Sequence, residues 1–210
     1  MTRTDRKSLR PLLLFATSLA LLFASGCNRL TDGLGLTGQV KQIAPEPIAP
    51  QRLRVILPSL GAEAILAPVA RRQDVTVWQT LDGITLAFQD GLLINTRGLG
   101  NDLMSSDVSS NLSMLGGAAG DTYYPQTRSY LDGEDRIIFH EYKCHQLSQK
   151  KLQLTIGARP HSVSQIEENC SSQDHEFENI YWVDQAGVVL KSRQWVSLNV
   201  GFMETEYVDR

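Results

Sequence analysis

ITLAFQDGLLINTRGLGNDLMSSD, residues 84–107, is the stretch on which the reading of the fold turns. Two apolar, β-branched runs, Ile84 to Gln89 and Leu92 to Thr96, are joined by Asp90-Gly91. That pair suits the positive-φ positions of a two-residue hairpin turn. The second run enters Gly98-Leu99-Gly100, where glycine opens backbone conformations closed to other residues, and leaves through an Asp/Ser cluster. Met104, Val108, Leu112 and Leu115 then recur at helical spacing ahead of Gly116-Gly117. The pattern predicts a strand, a strained corner and one amphipathic helix with a glycine stop. The corner has two readings. Backbone N–H groups between Gly98 and Ser105 at a helix N-terminus could face an anion or a sugar; alternatively, this is a capped sheet-to-helix turn in which Asp102 and Asp107 are caps. The spacing is not that of a phosphate loop, and no G-x-S-x-G elbow surrounds Ser105.

Outward from this stretch the period-two rhythm continues. Arg52 to Leu57, Ala64 to Val69 and Val75 to Leu81 precede it, with Asp82-Gly83 closing another hairpin. Tyr123 to Leu131, Ile137 to Cys144, Lys151 to Arg159, Val163 to Asn169, Glu176 to Asp184, Val188 to Val196 and Phe202 to Val208 follow it. Asp132-Gly133 and Ala186-Gly187 mark further turns. Successive hairpins make an antiparallel meander and argue against a parallel α/β sheet. The expectation is one all-β domain over residues 52–210: an antiparallel β-barrel, closed or partly open, with one short helix. A two-sheet β-sandwich is the alternative.

The first ten residues carry Arg3, Arg6, Lys7 and Arg10 against one Asp5, and Pro11 to Phe23 is almost unbroken apolar sequence. A basic start and an apolar core too short to span a bilayer make residues 1–26 a secretory signal peptide. It ends Ala24-Ser25-Gly26-Cys27, as in the lipobox of bacterial lipoproteins, with Ala24 in place of the usual Leu. Cleavage before Cys27 would leave 184 of the 210 residues, one domain with a proper core. The signal holds four of the 20 basic and one of the 23 acidic residues, so the mature chain has a net charge of −6. That balance excludes a nucleic-acid footprint and assigns membrane attachment to lipid on Cys27. Residues 27–51, rich in Gly and Pro, read as a tether, with docking of Val40 to Ile48 as an edge strand opposed by three prolines.

Cys144 and Cys170 remain in the exported domain, where two cysteines pair as a disulfide. His140, His145, His161 and His175 fit neither a structural zinc pattern nor a catalytic arrangement, and no metal or cofactor is expected. Glu204 with Glu206, or Asp184 with a carboxylate of another strand, could mimic a glycosidase pair. Trp182 and Trp195 flank the Ala186-Gly187 turn beside Tyr181, Lys191, Arg193 and Gln194. They are either a sugar platform or strand aromatics filling a core.

Two blocks carry a resemblance. DGITLAFQDGLLINTRGLGNDLMSSD (residues 82–107) resembles the signature of the YjbF/GfcB family of bacterial outer-membrane lipoproteins, linked to group 4 capsule and exopolysaccharide export. FENIYWVDQAGVVLKSRQWV (residues 177–196) resembles its C-terminal block. The resemblance implies a β-barrel-like fold and a non-enzymatic accessory of polysaccharide secretion that binds glycan or export-machinery partners. With Asn28 after the cysteine, it implies an outer-membrane anchor and a domain facing the periplasm. Two other readings stay open: a periplasmic carrier of a lipid or other apolar ligand, and a polysaccharide-modifying enzyme. If the barrel gathers the two blocks at one end, Gly98, Gly100, Asp102, Ser105 and Asp107 would join Trp182, Arg193 and Trp195 in one recognition surface.

Overall fold

The computed structural model describes residues 46–117, 122–131, 134 and 136–208, within a compact unit that runs from Ala44 to Arg210. The signal, Cys27, the tether up to residue 45 and the Asp132-Gly133 turn lie outside the described residues. The strands are β1 (Leu53–Leu57), β2 (Ala62–Arg72), β3 (Val75–Gln79), β4 (Thr85–Gln89), β5 (Leu92–Arg97), β6 (Leu103–Ser106), β7 (Tyr124–Leu131), β8 (Ile137–Ile156), β9 (Arg159–Ser171), β10 (Glu176–Asp184), β11 (Val189–Ser197) and β12 (Gly201–Tyr207). Among the described residues one α-helix, α1 (Ser109–Leu115), lies between β6 and β7.

Hydrogen-bonded neighbours in the sheet are neighbours in sequence, and β1 also pairs antiparallel with β12. The ladder therefore has its one gap between β5 and β6. Side chains bridge that gap: the Asn95 amide donates to the Met104 carbonyl at 2.7 Å, and the Leu103 N–H donates to the Thr96 hydroxyl at 2.9 Å. The result is a twelve-stranded, antiparallel, nearly closed barrel with one short helix.

Twelve strands could enclose a lumen. Here the interior is filled, because β11 reaches across to β5. Gln194 accepts from the Leu93 N–H and donates to the Gly91 carbonyl, both at 2.9 Å. Gly91 is needed for this approach: its φ is +90°, and a Cβ there would sit 2.6 Å from the Cβ of Val189. Inward-facing residues of β1 to β6 with Tyr130, Val196, Val200 and Met203 form an apolar core around Leu66, Trp78, Leu93 and Leu103. A second cluster joins Val108 and Met114, beside and within α1, to Leu92, Ile166, Tyr181 and Val189. The helix thereby packs against β5, β9, β10 and β11 at one end of the barrel.

Two expectations are corrected. The Gly98-Gly100 corner leads into β6 and only then into a helix. Pairing of Leu103 with Tyr130 and of Ser106 with Arg128 claims Met104 for a strand, so the helical period begins too early in the sequence reading. Ile137 to Cys144 and Lys151 to Arg159 are not separate strands, since β8 runs through a bulge between Gln146 and Ser148 and turns at Gly157, where φ is +56°. At the end of the tether the Ile48 N–H donates to the Pro68 carbonyl at 2.8 Å, and the Arg52 guanidinium donates to the carbonyls of its neighbours Ala49, Pro50 and Gln51; residues 46–52 join no strand. Cys144 and Cys170 sit opposite each other on β8 and β9 and are disulfide-bonded, 26 residues apart in sequence. Closing a loop of that length contributes about 3.5 kcal/mol by chain entropy.

Candidate functional site

Antiparallel order sends the turns β2–β3, β4–β5 and β10–β11, together with α1 and the start of β1, to one end of the barrel. A cavity of about 560 Å³ opens there. Its floor includes Trp78, Phe88, Leu53 and Val189, Leu112 and Leu115 of α1 form one wall, and Arg71, Gln73, Asp74 and Asp90 stand on the rim. Trp78 meets Tyr207 edge-on, with ring centroids 5.8 Å apart. The rim groups are exposed, and local bonds orient them. Arg71 Nε donates to the Thr76 hydroxyl at 3.1 Å, leaving the end of its guanidinium to project, and Gln89 donates to Asp74 Oδ2 at 2.8 Å. Asp90 holds φ at +45°, which places the turn over the cavity.

Behind this mouth lies a buried polar network. Glu168, fully buried, accepts from the Asn179 amide at 2.8 Å, the Tyr181 hydroxyl at 3.0 Å, and both the Asn111 amide and the Tyr124 hydroxyl. Asn111 links it to Gln126, whose amide donates at 3.3 Å; Gln126 accepts from Arg128 Nε at 3.2 Å. Arg128 donates on to the Trp195 carbonyl at 2.7 Å and lies over the Phe177 ring. One buried anion and one buried cation are thus joined through neutral amides, as buried charges require. Burial, and then the Glu168 charge, push the hydroxyls of Tyr124 and Tyr181 well above the ordinary phenol range. Burial pushes Tyr142 up to about 12. Cys144, Cys170 and Glu168 also cluster, but the disulfide removes the thiolates that would bind a metal.

The residues singled out in the sequence fall apart into two ends and two roles. Asp102 staples the β5–β6 turn, accepting from the Thr96 hydroxyl at 2.7 Å and from the Gly98 and Leu99 N–H groups at 2.9 and 3.1 Å. Two of the amides that could have faced an anion, those of Gly98 and Leu99, are therefore taken. Gly98 and Gly100 carry φ of +95° and +87° in that turn. Ser105 shares a hydrogen bond with Ser129 at 2.8 Å, and Asp107 accepts from both the Ser109 N–H and hydroxyl, which hold its carboxyl below the usual range. The corner does meet the end of β11, through a bond from the Ser197 hydroxyl to the Asn101 carbonyl at 2.9 Å. Trp195, however, is 8% exposed, sandwiched by Phe177, Phe202 and His175. Arg193 lies over Phe202, and Trp182 sits toward the opposite end of its strand with Lys191 over its ring. Of the candidate carboxylates, Glu206 pairs with Lys191 at 3.0 Å, and Asp184 accepts from Ala186 and Val188 in its own turn.

Sequence reasoning missed the mouth and the network. Trp78 and Tyr207 lie at opposite ends of the domain sequence and carry no shared motif. Glu168 did leave a trace: it alternates with Ile166 and Cys170, so it belongs on the buried face of its strand.

The profile of the family described as group 4 capsule polysaccharide lipoprotein GfcB, or YjbF, matches residues 37–208. The crystal structure of the lipoprotein YmcC from Escherichia coli K12 superposes with a TM-score of 0.63 at 19% identity, covering 99% of this chain and 98% of that one. At that identity the likeness speaks for the fold. A Bacteroides fragilis protein with a YmcC-like fold matches with a TM-score of 0.26 at 10% identity, over 75% of this chain and 93% of its own. Comparison with curated protein sequences finds no match.

Proposed function

The chain belongs to the YjbF family of group 4 capsule polysaccharide lipoproteins, and from that premise we propose that it is a non-enzymatic accessory of capsule or exopolysaccharide secretion. Lipid on Cys27 anchors it in the outer membrane with the barrel in the periplasm. Its role is to hold polymer or an export component. The observation that carries the non-enzymatic reading is the buried network: the Glu168 carboxylate already accepts four hydrogen bonds from this chain's own side chains. A carboxylate so satisfied is a structural anchor. The carrier reading loses support from a barrel interior packed across from β5 to β11.

The test is localisation and export together. Cys27→Ser should move the protein from the membrane to the soluble periplasmic fraction and reduce surface polysaccharide to the level of a strain lacking the protein. Membrane retention of that variant overturns the anchor, and normal polysaccharide in the strain lacking the protein overturns the accessory role.

A further inference from the structure

The mouth differs from the rest of the barrel in pairing apolar walls with exposed hydrogen-bonding groups that point away from the core. Leu53, Phe88 and Trp78 are buried beneath it, while Arg71, Gln73, Asp74 and Asp90 surround the opening. Such an arrangement matches the chemistry of a sugar. A pyranose has apolar C–H faces that pack on aromatic and aliphatic surfaces, and a belt of hydroxyls that bond in pairs to planar carboxylate, amide and guanidinium groups. An acyl chain would make no hydrogen bond with those rim groups.

We propose that the barrel mouth is a saccharide subsite that takes a neutral stretch of the exported polymer, roughly two or three sugar units by its volume. This rests on the accessory role just proposed and names the ligand-holding surface within it. Tyr207, with the buried Trp78 edge-on behind it, and Leu112 and Leu115 of α1 receive the C–H faces. Arg71, Gln73, Asp74 and Asp90 bond the hydroxyls. One guanidinium against two carboxylates gives the rim a net charge of −1; a neutral saccharide is therefore favoured over one rich in uronates. The chain approaches β1 from this same end, since Leu53 lines the cavity.

The experiment uses purified full-length protein and, as probe, two- to four-unit oligosaccharides cut by mild acid from the producing strain's surface polysaccharide. Saturation-transfer NMR and titration calorimetry read the binding. Arg71→Ala and Asp90→Asn should each weaken it about tenfold, the worth of one hydrogen bond to a charged group. Asp90→Asn keeps a residue tolerant of positive φ. Ala186→Trp, on the exposed β10–β11 turn that lines the cavity, should abolish binding by filling the opening. All three variants should melt as the wild type does. Octyl glucoside serves as a second probe, and saturation should reach its ring protons ahead of its alkyl chain. The proposal is overturned if the wild type binds no fragment, if binding survives all three variants, or if the alkyl chain takes the saturation. Export in a strain lacking the protein separates the two readings. Lost export with no fragment binding sinks the subsite alone, whereas normal export sinks the accessory role whatever the mouth binds.

Discussion

Asp102 is a residue whose chemistry was readable and whose task was not. An Asp after a glycine pair can cap a helix or close a turn by accepting from backbone amides. Here it closes the turn and the barrel seam at once, because Thr96 donates to it while accepting from Leu103 across the gap. Asp102→Ala should therefore cost about 2 kcal/mol, from three lost bonds in a half-exposed site. In a domain of this size that lowers the melting temperature by about 4 to 8 °C. Asp102→Asn, which keeps a carbonyl oxygen, should lose about half as much. Melts that leave Asp102→Ala unchanged would show that the turn does not depend on it. Export should follow the loss of fold and nothing more, since Asp102 is far from the mouth by topology.

Helix α1 spans seven residues, too few to be stable alone. No side chain caps Val108, its N-cap, and its first turn carries no acid. The helix stands because Val108 and Met114 are buried, at 2% and 1% exposure, and because Asn111 reaches Glu168. Asn111→Ala removes both an amide donor to that carboxylate and an acceptor for Gln126. Its expected cost is about 2 to 3 kcal/mol, since a buried charge loses a partner. Hydrogen exchange should localise the effect: the amides of Leu112 and Gly116, which bond within the helix, should lose protection before those of β8 and β9. Uniform loss across the barrel would instead mean that helix and barrel unfold as one unit.

For the whole molecule, the three raised phenols tie stability to alkaline pH. Tyr124, Tyr142 and Tyr181 each have a folded pKa above the ordinary phenol value of about 10. The folded state therefore binds their protons more tightly than the unfolded chain does. That stability is fully present below pH 10 and is lost as pH rises above it. Tyrosinate absorbance from these three should appear together with loss of the β circular dichroism signal. All six tyrosines ionising while the fold persists would refute the burial that the network implies. Phenylalanine at positions 124 and 181 should blunt the alkaline loss, though it removes two donors from Glu168 and lowers stability at neutral pH.

Local chemistry determined the strands, the Asp90-Gly91 hairpin and the family, because turn residues and period-two alternation act through near neighbours; the Cys144–Cys170 bridge followed from the two cysteines left once Cys27 is set aside. Alternation says which side chains share a face of a sheet. It does not say how the sheet curves. Tyr207 on β12 and Trp78 on β3 have β1 and β2 between them, so a flat sheet would hold them about 14 Å apart at the usual strand spacing. Their rings lie 5.8 Å apart, a distance that only curvature of the barrel allows. The same curvature brings β11 against β5, buries Glu168 among its donors and covers Trp195. Which aromatic residues line the mouth and which pack elsewhere was thus decided by closure, a property of the whole sheet that no stretch of its sequence carries.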